Sequence, residues 1–221
     1  MKLLLQALVK FILGIILVGL LVFLPAGTVE FVNGWILMGV LFVPMLILGV
    51  ILIFKDPKLL GHRLNAKEKE KKQDLVVKLS GLMFIAGFIV AGLDFRFEWL
   101  SLPLSVSIGA AVIFLLSYAL YGEVLRENTY LSRTIEVMDD QKVIDTGMYG
   151  IVRHPMYSVT LLLFLSMPFV LGSLYSFIVF LVYPFIIAYR IKNEERFLEE
   201  NLKGYVEYKK KVKYRLVPFV W

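Results

Sequence analysis

The sequence predicts an all-α protein: a polytopic integral membrane helix bundle of five to six transmembrane helices, the last two a hairpin, with a cytoplasmic C-terminal amphipathic helix. Three observations carry that prediction. Of 221 residues, 59% are apolar and only 19% charged, against ~45–50% and ~25% in a typical soluble domain. The apolar residues fall in blocks long enough to cross a bilayer. Every lysine and arginine except Arg96 lies on one side of those blocks. The same composition excludes a soluble enzyme and a disordered chain. With no cysteine there is no disulfide, thiolate metal site or cysteine nucleophile. Two histidines, His62 and His154, are too few for a histidine-rich metal site.

A hydrocarbon core of ~30 Å takes about 20 apolar residues in a helix. The first block lies within Leu3–Leu24. It is long, lacks a small-residue cleavage site and is followed by further spans, so it reads as a span and not a signal peptide. The second runs from Val32 to Phe54, the third from about Leu75 to Leu93, and the fourth from about Leu102 to Tyr121. Residues 1–121 thus form an N-terminal four-helix membrane region, and residues 122–221 a second region. The fifth block, Met156–Tyr189, carries no charge. As one helix it would be about 51 Å long, well beyond the hydrocarbon thickness. Gly172-Ser173 marks its midpoint as a turn. The prediction is a hairpin of Met156–Leu171 and Leu174–Tyr189, kinked by Pro168 and Pro184. That gives six crossings, or five if the hairpin is re-entrant or one long tilted helix.

Charge sets the orientation. Lys55–Lys78, Glu123–Arg153 and Arg190–Trp221 hold nearly all the basic residues, and six spans bring these segments to one face. The positive-inside rule makes that face cytoplasmic, with both termini. Topology and anionic headgroups then account for the net charge of +6, and nucleic acid need not be invoked.

Polar chemistry has three possible homes on that face. The segment Lys55–Lys78, which contains the run Ala66-Lys67-Glu68-Lys69-Glu70-Lys71-Lys72, reads as a solvated connector, and His62 within it carries little weight. The stretch Gln141–Ser158 is richer. Gly147 and Gly150 bracket an aromatic residue in a loop, and Arg153-His154-Pro155 stands before the hairpin. Pro155 suits a first helical turn, which places Arg153 and His154 at a helix N-terminus that favours anions. In the tail, Leu198, Leu202, Tyr205 and Val212 recur at roughly helical spacing with lysines behind them, as in a helix lying on an anionic leaflet. That account leaves Glu194 and Glu195 unexplained. A hairpin sets its two ends about one helix diameter apart, ~10 Å. Arg153 and His154 would then face Arg190, Glu194 and Glu195.

At these residues the chain resembles the isoprenylcysteine carboxyl methyltransferase family and the related phospholipid N-methyltransferases. The likeness runs from about Asn128 to Trp221. It rests on Gly147–Tyr157 with its Arg153-His154-Pro155-x-Tyr157 core, on Asn193-Glu194-Glu195-x-x-Leu198, and on Gly204-Tyr205-x-x-Tyr208. Met148 departs from it, standing where a proline is common. The resemblance implies S-adenosylmethionine as methyl donor, bound by residues 122–221 and not by a soluble Rossmann domain; no Gly-x-Gly-x-x-Gly fingerprint occurs here. It implies cofactor contacts from Tyr149, Arg153, His154, Pro155, Tyr157, Glu194 and Glu195. Arg153 would fork the donor's carboxylate. Arg190 would aim a carboxylate acceptor, and Glu194 would take the proton of an amine acceptor. The acceptor would be lipophilic, an isoprenylcysteine-type carboxylate or a phospholipid amine, arriving sideways from the bilayer. Two other readings stay open: an NADPH-dependent membrane reductase of similar architecture, and a non-catalytic lipid-binding or transport protein.

Overall fold

A computed structural model describes residues 2–65, 71–100, 102–132, 134–138 and 140–221. Residues 66–70 of the lysine–glutamate run predicted to be a connector lie outside the described residues. The elements are α1 (Lys2–Ala26), α2 (Val32–Lys55), α3 (Pro57–Leu64), α4 (Lys71–Phe97) and α5 (Leu104–Glu127), then a 3-10 turn (Gly147–Gly150). The chain goes on through α6 (Pro155–Val170), α7 (Leu174–Phe180), α8 (Tyr183–Asn201) and α9 (Tyr205–Lys211). No strand occurs among the described residues. The protein is a polytopic helical membrane protein. Among the described residues, five segments are long and apolar enough to cross a bilayer: α1, α2, α4, α5 and the α7–α8 pair taken as Leu174–Asn201. Helix α6, at 16 residues, is about 24 Å long and forms the shorter arm of the hairpin.

One end of the bundle carries α3, the 128–154 segment and the tail, and is termed the basic end below. The start of the segment expected to be a solvated connector is instead a docked helix. Asp56 caps α3 by accepting the Leu59 N–H at 2.9 Å, Pro57 occupies its first turn, and Leu59 and Leu60 are buried. The Lys10 ammonium donates to the Leu64 carbonyl, tying α3 to α1.

The predicted hairpin is present. Gly172 makes the turn at φ +74°, and a Cβ there would press on the Asn33 amide at 2.5 Å. The Ser173 hydroxyl caps α7 by accepting the Ser176 N–H. It also donates to buried Asp94 at 2.5 Å, whose other oxygen accepts the Leu100 N–H at 3.0 Å. The turn is therefore pinned to the far end of α4. Lower down, Ser176 donates to the Gly87 carbonyl at 2.8 Å, and the missing side chain of Gly87 makes room for the buried Phe180 ring.

Two departures from expectation shape the site. The second arm is broken at Leu181-Val182 and not merely kinked. Pro184 lies in the first turn of α8, and it has no N–H to continue the preceding ladder. Beyond the break α8 runs past Tyr189 to Asn201, so Arg190, Glu194 and Glu195 ride on the same rigid rod as the span. The tail is also not one leaflet helix. It breaks at Gly204, φ +87°, and Leu202, Tyr205, Tyr208 and Val212 bury themselves against Val137, Val143 and Leu198. The apolar face of the tail thus covers protein and not lipid. Two of its lysines are paired, Lys209 with Glu199 and Lys211 with Asp145 at 2.6 Å.

Candidate functional site

The residues Arg153-His154 are held in place by the tail. Their amides donate to the Tyr214 and Arg215 carbonyls, both at 2.9 Å. One turn on, the Ser158 hydroxyl donates to the Leu216 carbonyl at 2.6 Å. Beneath this strap sits Glu195, 2% exposed. It accepts from Arg153 Nε at 2.7 Å and from Arg215 Nε at 2.9 Å, with His154 Nε2 at 3.3 Å. Arg153 Nη1 donates to the Val212 and Lys213 carbonyls at 2.7 Å each. A buried charge persists only when paired and hydrogen-bonded, and this carboxylate meets that condition three times over. The sequence placed Arg153 and Glu195 against a ligand. The structure makes them counter-ions of each other, with the Arg153 Nε and Nη1 donors committed inside the protein.

Glu194 is different because neighbouring positions on a helix point about 100° apart. Tyr183, Ile187, Arg190, Glu194 and Leu198 form one stripe of α8 and all line a single cavity, whereas Glu195 faces the strap. On that stripe Arg190 Nε donates to the Tyr157 hydroxyl at 2.7 Å, and Tyr157 donates to Glu194 Oε2 at 2.5 Å. The Arg190 guanidinium also lies 5.9 Å from the Tyr157 ring centre. The His154 ring stacks 5.7 Å from the same ring on its α6 side. Guanidinium, phenol and carboxylate are thus threaded on one hydrogen-bonded line.

The turn Gly147–Gly150 is gripped by the end of α5. Gly147 has φ +49°, and a Cβ there would coincide with the Glu127 carboxylate. Glu127 accepts the Met148 N–H at 3.0 Å. A proline at 148 would remove that donor, which gives the departure at Met148 a local purpose. Asn128 donates to the Tyr149 hydroxyl at 3.0 Å, and Tyr208 donates to the Tyr149 carbonyl at 2.7 Å. Burial pushes the Tyr149 and Tyr208 phenols above their ordinary range, so both stay protonated.

These groups surround a cavity of about 460 Å³, within the usual span of ligand pockets. Tyr149, Arg153, His154, Tyr157, Arg190 and Glu194 reach its wall; Pro155 and Glu195 stand behind it. An apolar arm continues between α4, with Val76, Val77, Gly81 and Phe84, and the hairpin residues Phe164 and Ile187. Tyr205 also lines the cavity. It is 4% exposed, its hydroxyl has no hydrogen-bond partner, and burial with nearby Glu195 and Glu194 raises its pKa well above the ordinary phenol range. A buried polar atom without a partner is uncommon in a native fold; among the described residues this one is a protonated donor that the protein's own bonding leaves unused. Sequence reasoning quoted Tyr205 as a motif residue without giving it a role. It missed Glu127, Asn128 and Arg63 altogether. Arg63 lines the cavity and donates to the Tyr121 hydroxyl at 2.5 Å, a contact between segments 58 residues apart that leaves no local pattern.

Two comparisons with known proteins each match part of the chain. Over 91 residues, 40% of the chain, it is 30% identical to the Delta(14)-sterol reductase TM7SF2 of Mus musculus, and the matched part spans 22% of that protein's length. Residues 104–204, from the start of α5 to the glycine before α9, match the model of the phospholipid methyltransferase family.

Proposed function

We propose that this protein is a membrane-embedded methyltransferase that moves a methyl group from S-adenosylmethionine to a lipophilic acceptor supplied by the bilayer. One observation carries the reading: a single cavity joins a polar mouth, built on Arg190, Tyr157 and Glu194, to an apolar arm between α4 and the hairpin. A water-borne cofactor and a lipid-borne acceptor can meet only in a site of that dual nature. The family match over residues 104–204 supports it. The basic end is cytoplasmic in this reading, with both termini, by the positive-inside rule.

The residues present fit the donor. Its ammonium and ribose hydroxyls call for acceptors, which Glu194 offers. Its carboxylate and adenine call for donors, which the Tyr205 hydroxyl and His154 offer. Tyr149 presents an aromatic face suited to a cation, while the Tyr157 ring is engaged by Arg190 and His154. When bound, S-adenosylmethionine supplies an electrophilic methyl group on a sulfonium. Pro155 and Glu195 serve from behind, and Arg153, on the wall but bound to Glu195, holds His154 and the strap in place.

The rest is done by this chain's own side chains. Arg190, fixed by Tyr157, sets a positive charge where an acceptor carboxylate must be held and aimed. A carboxylate is already nucleophilic and needs no base. An amine acceptor must lose a proton, and Glu194 stands ready to receive it. Alignment of two bound partners then supplies most of the acceleration. An isoprenylcysteine-type carboxylate is the acceptor class favoured by Arg190, and a phospholipid amine is the other class the site suits.

A second reading, a nicotinamide-dependent reductase, is favoured by the partial likeness to the mouse sterol reductase. Calorimetric titration of the detergent-purified protein with S-adenosylhomocysteine and, separately, with NADPH decides between them. Binding of the first alone, with mass spectrometry of membrane extracts showing added methyl groups, is the expected result. Binding of NADPH alone sinks the methyltransferase reading.

A further inference from the structure

The apolar arm has a floor and a doorway, and both are residues of α4. Phe84 lines the arm and closes its inner end. Its ring meets Phe164 edge-on at 4.8 Å and Phe180 edge-on at 5.4 Å. Phe180 is fully buried and touches Phe88 at 6.1 Å. It sits against α4 because Gly87 has no side chain, and α7 is held there by the Ser176–Gly87 hydrogen bond. The cluster is therefore locked. Its depth agrees from two helices. Phe84 lies eight residues beyond Val76, and Phe164 nine beyond Pro155. At ~1.5 Å per residue these are about 12 Å and 14 Å, near the middle of a ~30 Å core. Gly81 lies between the cavity mouth and this floor. It lines the arm, is exposed within a segment long and apolar enough to span a bilayer, and a Cβ there meets no atom within 4 Å. The other glycines with such open surroundings, Gly39, Gly49, Gly109 and Gly122, do not line the cavity.

From this we infer that Gly81 is the doorway through which the acceptor's tail enters from the bilayer, and that Phe84 is the stop that limits the tail inside the protein to a slender segment of about 12 Å. The inference rests on the methyltransferase reading and deepens it. The substrate class becomes a lipid whose reactive group ends a narrow apolar chain, with bulk excluded over about the first 12 Å of that chain.

The experiment uses S-ethyl-, S-decyl- and adamantyl-tipped S-decyl-N-acetylcysteine with a radiolabelled methyl donor. Comparing variants in one detergent cancels partitioning. Gly81→Trp is expected to lower kcat/KM for the decyl probe at least tenfold relative to the ethyl probe. Phe84→Ala is expected to raise the adamantyl-to-decyl ratio by at least tenfold. Affinity for S-adenosylhomocysteine should stay at the wild-type value in both, which reports an intact fold. Unchanged ratios in both variants overturn the inference while leaving the methyltransferase reading standing. A second measurement needs no turnover. The chain has no cysteine, so Gly81→Cys carries its sole thiol in the doorway. S-decyl-N-acetylcysteine should slow its labelling by N-ethylmaleimide, and S-ethyl-N-acetylcysteine should not. Protection without methylation by the wild type would defeat the proposed function and keep the doorway; equal labelling in both would defeat the doorway.

Discussion

The carboxylate of Glu195 offers the sharpest test of the site, because the proposed function gives it a structural role and its neighbour Glu194 a chemical one. Glu195→Gln keeps the shape and removes the charge. In the wild type the carboxylate receives Arg153 Nε at 2.7 Å and Arg215 Nε at 2.9 Å while almost wholly buried. Removing one side of a buried ion pair costs about 3–5 kcal/mol. Arg153 keeps two carbonyl acceptors at 2.7 Å, and the glutamine oxygen can still accept one bond, so the lower end, about 3 kcal/mol, applies. At about 1.4 kcal/mol per factor of ten, the strap should open about a hundredfold more often. Hydrogen exchange reads this directly. The amides of Arg153 and His154 donate to carbonyls of the strap, so their protection should fall about a hundredfold, with that of the membrane helices unaltered. Affinity for S-adenosylhomocysteine should drop with it. Glu194→Gln should do the reverse, leaving exchange at residues 153–154 untouched while lowering turnover or cofactor affinity. Wild-type protection in Glu195→Gln would refute the assignment of this residue as the latch.

Tyr208→Phe removes a 2.7 Å bond to the Tyr149 carbonyl and should destabilise the detergent-solubilised protein by about 1–3 kcal/mol in thermal unfolding. Tyr205→Phe loses no internal bond, so its melting temperature should hold or rise while its affinity for S-adenosylhomocysteine falls several-fold. Gly147→Ala combines a positive φ with a Cβ on the Glu127 carboxylate; a loss of at least about 1–2 kcal/mol of stability and of cofactor binding is expected, both visible in a ligand-dependent melt. Lys211 holds the Asp145 carboxyl below its usual pKa through a hydrogen bond and its charge. A depressed folded pKa gives stability that is present at neutral pH and is lost as pH falls below the ordinary carboxylate range of about 4. Proteolysis within α9 should therefore quicken on acidification below that point in the wild type, and Lys211→Met should remove the dependence.

The spans and the hairpin were legible in the sequence because a bilayer imposes a length and a hydropathy that no packing detail can override. Gly172-Ser173 was legible for a related reason: an uncharged block too long for one crossing must turn, and few residues turn well. The break before Pro184 and the continuation of α8 to Asn201 were less so. Hydropathy ends at Tyr189, but helical propensity does not, and Arg190–Asn201 is mostly Arg, Lys, Glu and Leu, which are good helix formers. The tail misled in an instructive way. Its apolar spacing looks the same whether the face it makes meets lipid or protein, and only the partner residues Val137 and Val143, with no periodic pattern of their own, decide for protein. Arg63 and Glu127 act across long sequence separations and were invisible for that reason.

The twin carboxylates show where sequence and structure part most usefully. Written side by side, Glu194 and Glu195 look interchangeable, and either suits a cofactor. A helix forbids that equivalence, since ~100° separates them. One must turn toward the stripe of Tyr183, Ile187, Arg190 and Leu198, and the other toward whatever packs on the next face. The strap decides which. It brings Arg215 and the carbonyls that fix Arg153 to the Glu195 face, and it ties the Arg153 and His154 backbones to itself. Glu195 is thereby consumed as a counter-ion, and Glu194 is left on the cavity wall with one phenol donor. Exchanging the two residues' roles by mutation should therefore be impossible: Glu194→Gln paired with any change at 195 cannot restore a carboxylate to the cavity, because position 195 does not face it.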